Sequence, residues 1–109
     1  MQTGTVVIVS FPNTDLVSFK ARPAVVVAET SDTYKDVIVS MITSVVPMSL
    51  NAQQILVNPS RTNNLRTTSV IKVSRLVTVE REKIVAEIGK LDNNDLQQFK
   101  EKFKSLVDN

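Results

Sequence analysis

The hydrophobic residues of this chain occur in short runs, separated by polar segments rich in turn-forming residues. The runs at residues 6–11, 23–28 and 37–43 are rich in β-branched side chains and predict three strands. Shorter runs at 54–57 and 69–73 predict two more. The strands follow one another at about ten-residue spacing with no helix between them, which favours an antiparallel sheet over a βαβ fold.

The pattern changes towards the end of the chain. Residues 76–79 predict a further short extended piece, and residues 84–88 fit either a strand or a helical turn. Residues 92–107 predict a helix that begins at Asp92, a natural N-cap residue. Its apolar stripe consists of Leu96, Phe99, Phe103, Leu106 and Val107. We expect this stripe to pack on the sheet, with a role in dimerisation as the alternative.

The predicted fold is therefore mainly β with one helix (α+β): a small curved antiparallel barrel over residues 1–91, closed by the helix at 92–107. The length of 109 residues fits this single domain. A composition of 42% hydrophobic and 22% charged residues is that of a globular protein.

Composition also limits the chemistry. Histidine and cysteine are absent, which excludes disulfides, thiolate nucleophiles, Cys/His zinc sites and histidine acid–base catalysis. We expect no metal and no cofactor. With only Gly4 and Gly89, the chain cannot build a glycine-rich phosphate loop. No signal peptide and no run of about 18 apolar residues is visible, so a cytoplasmic protein without a membrane span is expected.

Six cations flank the predicted strands in pairs, although the formal net charge is only +2. If the loops converge on one face of the sheet, these side chains form a shallow positive groove that attracts phosphate. The alternative is that they are scattered for solubility. Aromatic residues are too few to predict a base-stacking sheet surface. The six cations are Lys20 and Arg22, Arg61 and Arg66, and Lys72 and Arg75.

Three blocks of sequence occur in an order that points to a known family. They are "RPAVVV" from residue 22, "MITS" from residue 41, and "TTSVIKV" from residue 67 followed by "LVTVEREKI". With the terminal helix, they span almost the whole chain. In this order they resemble the MazF/PemK family of toxin endoribonucleases from type II toxin–antitoxin systems.

The resemblance implies an SH3-like barrel with a C-terminal helix, and a homodimer with RNA lying across its interface. It implies metal-independent, sequence-selective cleavage of single-stranded RNA such as mRNA, and neutralisation by an antitoxin. Arg22 and Thr43 match family positions associated with catalysis. Ser44, Ser69 and Lys72 fall where relatives contact RNA. We add Lys20 and Arg66 as RNA-binding cations of the predicted groove.

Cleavage of RNA needs no protein nucleophile, because the 2′-OH of the substrate can attack the adjacent phosphate. Arg22 suits stabilisation of the developing charge, since its planar fork grips two phosphate oxygens and Pro23 fixes the chain after it. Thr43 can donate a hydrogen bond to the same phosphate. Lys72 is a candidate acid or base, because a desolvated lysine loses its proton more readily than arginine. Asp15 either orients an arginine or makes a turn.

Two alternatives compete with the endoribonuclease hypothesis. Some relatives carry an acidic residue where this chain has Ser74, which favours a degenerate or non-catalytic member, or a gyrase-poison-like binding protein on the same fold. The other alternative is a protein-interaction module of SH3-like shape. The low aromatic content disfavours it, because proline-rich ligands dock in aromatic grooves.

Overall fold

The computed structural model describes residues 1–12, 15 and 17–108, which form a six-stranded antiparallel sheet and a C-terminal helix. The strand order is β4-β5-β3-β2-β1-β6. The predicted fold class is confirmed. The elements are β1 (Thr5–Pro12), β2 (Phe19–Glu29), β3 (Val37–Thr43), β4 (Gln54–Val57), β5 (Ser69–Val79), β6 (Ile84–Lys90) and α1 (Asn93–Ser105).

Strand β2 begins four residues earlier than the sequence pattern predicts. Residues 12–22 were expected to be a loop because they lie between two prolines and are polar. Instead Phe19 already pairs with Pro12, and Arg22 pairs with Val9. The ladder with β1 determines the start of β2, whatever the polarity of its first residues. Asn13, Thr14 and Leu16 of the expected loop lie outside the described residues.

Strand β5 joins the two predicted pieces at 69–73 and 76–79 into one strand with an irregular middle. Met41 of β3 lies opposite Lys72, but the preceding residue, Ser40, lies opposite Leu76. The three residues 73–75 therefore bulge out of the ladder with β3. The buried Ser40 hydroxyl donates a hydrogen bond to the Val73 carbonyl at 3.0 Å. This contact holds the bulge.

The ambiguous segment at residues 84–88 is a strand, and the helical turn lies just before it. A single 3-10 turn covers Arg81–Lys83, and β6 then pairs with β1. Gly89 of β6 lies under the β4–β5 loop, residues 58–68. A Cβ atom on Gly89 would come 2.3 Å from the Thr62 carbonyl oxygen.

The buried residues form two clusters on opposite faces of the sheet. Adjacent residues such as Val6 and Val7 belong to different clusters, as the alternation of a strand requires. Helix α1 covers one cluster with Phe99, which is 1% exposed. Val107 is 80% exposed and lies beyond the helix, so including it in the stripe was wrong. The residues of α1 and its end that pack on this cluster are Leu96, Phe99, Phe103 and Leu106.

The two ends of the sheet, β4 and β6, do not pair with each other in the described residues. The β4–β5 loop spans from one to the other. Asn64 Nδ2 donates to the Ile88 carbonyl at 2.6 Å, and the Lys90 amide donates to the Thr62 carbonyl at 3.0 Å. The fully buried Asn63 holds this loop from inside by accepting from the Ser60 and Leu65 amides (2.9 and 3.0 Å).

Asp92 occupies the predicted N-cap position of α1, but its side chain makes no cap hydrogen bond. Its Oδ2 instead accepts from the Ser60 hydroxyl at 2.8 Å, which joins the helix start to the β4–β5 loop. Within the described residues, no helix has the length and apolar character that a membrane crossing requires.

Candidate functional site

The three predicted catalytic residues come from three strands and lie on one face of the sheet. Ala24 of β2 is opposite Met41 of β3, and Met41 is opposite Lys72 of β5. Arg22 lies two residues before Ala24, and Thr43 two residues after Met41. Because strand side chains alternate between faces, Arg22, Thr43 and Lys72 share a face. They line one open cavity of about 410 Å³.

A third cation, Arg75, lines this first cavity beside Arg22 and Lys72. Arg75 was noted in the sequence as one of six cations and was not assigned to the site. It belongs there because the bulge after Lys72 carries residues 73–75 out of the regular ladder. Nothing in the strand-like sequence around it indicates a bulge. The remaining lining residues are Phe11, Met41, Ile42 and Val77.

A second cavity, of about 750 Å³, adjoins the first and shares Arg22, Ile42 and Thr43 with it. We call the two cavities together the groove. The groove is lined by all seven predicted site residues. Those added by the second cavity are Lys20, Ser44, Arg66 and Ser69.

All the charged residues that line the groove are positive. Five cations line it and none of its lining residues is acidic. Arg61, the sixth cation of the sequence pattern, does not line it. Both salt bridges within the described residues lie elsewhere, where Glu29 accepts from Arg81 and from the N-terminal ammonium. The groove cations are therefore available to an anionic partner such as a phosphodiester strand.

Comparison with known proteins identifies the family to which this chain belongs. Residues 2–107 match the family model for the PemK-like, MazF-like toxin of type II toxin–antitoxin system. The chain belongs to this family. The structure is similar to that of the Mycobacterium tuberculosis toxin MazF-mt6, with a TM-score of 0.69 and 20% sequence identity over 95% of this chain and 96% of that one. At this identity the structural similarity shows the fold alone. No curated protein sequence matches the chain.

Type II toxins of this PemK/MazF family are endoribonucleases. The family therefore implies RNA as the substrate and an antitoxin as the protein partner. In this member, the hydroxyl groups of the groove differ in what they can offer RNA. Thr43 Oγ1 accepts from the Val45 amide at 3.1 Å and keeps its own proton for donation. Ser69 is 4% exposed and its hydroxyl donates to the Thr67 carbonyl at 2.9 Å, so it can only accept. Ser44 is exposed.

Asp15 makes a turn. Its Oδ1 accepts hydrogen bonds from the Val17 and Ser18 amides at 3.0 and 3.1 Å. These backbone hydrogen bonds, and a weaker one from the Ser18 hydroxyl, lower the pKa of the Asp15 carboxyl. No ion pair joins Asp15 to an arginine in the part of the chain that the structure describes. Nor do three or more Cys, His, Asp or Glu side chains among the described residues come together as metal ligands would.

Proposed function

We propose that this toxin is a metal-independent, sequence-selective endoribonuclease that cleaves single-stranded RNA, including mRNA. One observation carries the proposal. One cavity is lined by three residues from three different strands, Arg22, Thr43 and Lys72. Arg75 is a third cation of this cavity, and no carboxylate lines it. A dianionic phosphorane-like transition state, with one more negative charge than the ground-state phosphodiester, is the species that such a cavity stabilises best.

The proposed reaction needs only the substrate's own nucleophile. The ribose O2′ bonds to the adjacent phosphorus, and the bond between phosphorus and O5′ of the next nucleotide breaks. The products are a 2′,3′-cyclic phosphate and a 5′-hydroxyl. The proton of the 2′-OH passes to solvent hydroxide, and the departing O5′ takes a proton from the Lys72 ammonium.

Arg22 and Thr43 act on the phosphate oxygens in this scheme. The Arg22 guanidinium forms two charge-assisted hydrogen bonds, and the Thr43 hydroxyl donates a third. Arg22 is exposed, yet it stands in the β1–β2 ladder opposite the fully buried Val9. The backbone at Arg22 is therefore fixed while the guanidinium faces solvent. An arginine at the start of a core strand suits this role, because a group that stabilises charge works best from a rigid support.

The second cavity is proposed to hold nucleotides on either side of the reacting phosphate. Lys20 and Arg66 neutralise phosphates there, while Ser44 and Ser69 form hydrogen bonds with polar groups of the RNA strand.

The proposal also includes three features beyond the groove itself. They are a homodimer whose interface RNA crosses, an antitoxin that competes for the groove, and action in the cytoplasm, where mRNA is translated. Val45, which lines the groove, is 75% exposed, and Met48 (107%) and Leu50 (43%) are exposed apolar residues of the loop that follows it, which supports a partner surface.

The test compares Arg22→Ala with Arg61→Ala, since Arg61 is an arginine of the same chain outside the groove. Each purified protein is incubated with a long, structure-poor RNA in EDTA, and the new ends are mapped. We expect wild type and Arg61→Ala to cut at a repeated short sequence, leaving cyclic phosphates. Arg22→Ala should lose at least about 10²-fold in rate, as removal of a transition-state donor does. Intact RNA with wild type would contradict the proposal.

A non-catalytic or degenerate toxin is the second candidate. It is favoured by Ser74, which is exposed in the β5 bulge where some relatives carry an acid. Such a protein would bind single-stranded RNA without cutting it, or would act on another target such as gyrase. RNA binding without the appearance of cleavage products, or inhibition of gyrase, would support this second candidate.

A further inference from the structure

Phe19 is an exposed aromatic residue at the first position of β2. It lies opposite Pro12 of β1, and its side chain is 60% exposed. The Lys83 ammonium of the 3-10 turn lies over its ring, 5.6 Å from the centroid. Strand pairing fixes the backbone of Phe19, and this cation–π contact holds the ring. An aromatic ring held in this way and still largely open to solvent needs a functional explanation.

The position of Phe19 relative to the groove supplies one. Side chains of a strand alternate, so Phe19 shares a face of β2 with Ala21 and Pro23. Ala21 and Pro23 line the second cavity, as does Lys20 beside them. Two residues of strand advance the chain by about 7 Å, which is one nucleotide's reach along a single strand. Phe19 therefore stands just beyond the end of the second cavity.

We propose that Phe19 and Lys83 form a stacking platform for an unpaired base of the RNA strand as it leaves the second cavity. This inference rests on the proposed function and adds a subsite to it. An aromatic face stacks on any base, and it serves single strands whose bases are splayed out. Lys83 covers one face of the ring, and the base takes the other. Lys20 contacts the phosphate that precedes this base.

Charge on the 3-10 turn favours a base over a phosphate at this position. Lys83 is accompanied by Glu80 and Glu82, which repel a phosphate close to the turn, while Arg81 of the same turn is paired with Glu29. A neutral base avoids this repulsion, while Lys20 and Arg66 of the second cavity hold the strand by its phosphates. We favour RNA over a protein partner because the ring adjoins the positive groove. A protein partner remains an outcome that the test can return.

The test measures binding of a mixed-sequence 2′-fluoro RNA 12-mer, which has no 2′-OH and cannot be cleaved, and of an abasic strand of the same length. Phe19→Ala should weaken binding of the 12-mer roughly 5- to 150-fold, the range reported for loss of one base–aromatic stack. It should leave binding of the abasic strand unchanged. Phe19→Tyr should retain affinity. Tyr34→Ala, which removes an aromatic ring that is 80% exposed in the β2–β3 turn, is the matched control and should have no effect.

A spectroscopic readout separates stacking from a general loss of fold. The chain has no tryptophan, so Phe19→Trp places a single reporter on the platform. The 12-mer should quench its fluorescence, and the abasic strand should not. Lys83→Gln in the same background should reduce the quenching at equal saturation, because the ring is then no longer held in one orientation.

Each outcome has a definite meaning. Equal 12-mer affinity for wild type and Phe19→Ala, with RNA still cleaved by wild type, overturns the platform and leaves the proposed function intact. If Phe19→Ala then weakens only the complex with an antitoxin, the ring serves a protein partner. Wild type that neither binds the 12-mer nor cuts RNA overturns the proposed function itself. Stacking without cleavage supports the platform on a non-catalytic RNA-binding toxin.

Discussion

The Ser40 hydroxyl donates a buried hydrogen bond to the Val73 carbonyl, which lies 33 residues later in the bulge of β5. Ser40 is fully buried among apolar residues of β3, and no buried side-chain polar atom in the described residues lacks a partner. The bond connects the core of the sheet to the backbone between Lys72 and Arg75. Both cations line the first cavity because the bulge at residues 73–75 interrupts the regular alternation of side chains after Lys72.

Replacing Ser40 by Ala should therefore affect both stability and the groove. The substitution leaves the buried Val73 carbonyl without its donor, a loss that costs about 1–3 kcal/mol of unfolding free energy. Urea denaturation measures this cost. The freed bulge should also lower RNA affinity, because Lys72 and Arg75 lose their fixed separation. Ser105→Ala is the control, since its hydroxyl also donates to a backbone carbonyl but in an exposed helix end. Equal stability of the two variants would contradict the role of Ser40.

Gly89→Ala should disturb the groove from its other side. The new Cβ would lie 2.3 Å from the Thr62 carbonyl oxygen and 2.9 Å from backbone atoms of Asn63, so the β4–β5 loop must move. We expect a loss of about 1–3 kcal/mol, as for other overpacked sites, and weaker RNA binding because the same loop carries Arg66. Glu87→Ala, exposed on the same strand, should change neither. A Gly89→Ala protein with wild-type stability would show that the loop yields easily.

The pKa of Glu29 gives a pH-dependent prediction. Hydrogen bonds from the N-terminal ammonium and then from Arg81 Nη2, at 2.8 Å, lower this pKa from 4.5 to about 2. The native state therefore binds the Glu29 proton more weakly than the unfolded state does. Its contribution to stability is full above pH 4.5 and disappears as the pH falls towards 2. The contribution is modest, because the pair is accessible to solvent.

Thermal unfolding of wild type and Glu29→Gln checks this sign. The melting temperature of wild type should exceed that of the variant by a constant amount from pH 4.5 to neutral pH, and the difference should shrink between pH 4.5 and 2. Arg81→Gln should narrow the same difference, since it removes one of the two donors. A difference that grows on acidification would mean that the carboxylate is not stabilised in the native state.

The sequence predicted those parts of the fold that local patterns determine. Strands β3 and β4 match their β-branched runs, and the stripe through Phe99 marks the helix. The early start of β2 and the bulge of β5 were not predicted, because both depend on which strand lies alongside. A hydrogen bond between Ser40 and Val73 stabilises the bulge, and no local sequence pattern predicts a bond between residues so far apart.

The candidate site was predicted from family motifs rather than from local patterns. The matches at Arg22, Thr43 and Lys72 placed these residues in one site before their proximity was known, and the structure brings them to one cavity. Arg75 was predicted only as one of six groove cations and was given no role in the site, because only the bulge brings it to the cavity of the catalytic residues. Phe19 was missed because a single aromatic residue in a polar segment does not indicate a stacking surface. Its meaning depends on Lys83, which is 64 residues away in sequence and 5.6 Å from its ring.

The proposed proton donation by Lys72 can be separated from its charge. Lys72→Arg keeps a cation at the groove but holds its proton too tightly to release it to O5′. We expect RNA binding close to that of wild type and cleavage slower by about 10²–10⁴-fold, the usual contribution of a general acid. Lys72→Gln should lose both binding and cleavage.

A modified substrate makes this test specific. An RNA with sulfur in place of the bridging O5′ at the cleavage site has a leaving group that departs without a proton. If Lys72 is the acid, Lys72→Arg should cleave this substrate nearly as fast as wild type does. Arg22→Ala should remain slow on it, because charge on the non-bridging oxygens still needs stabilisation. If sulfur substitution leaves Lys72→Arg as slow as before, Lys72 acts through its charge and position alone, and O5′ obtains its proton from another group.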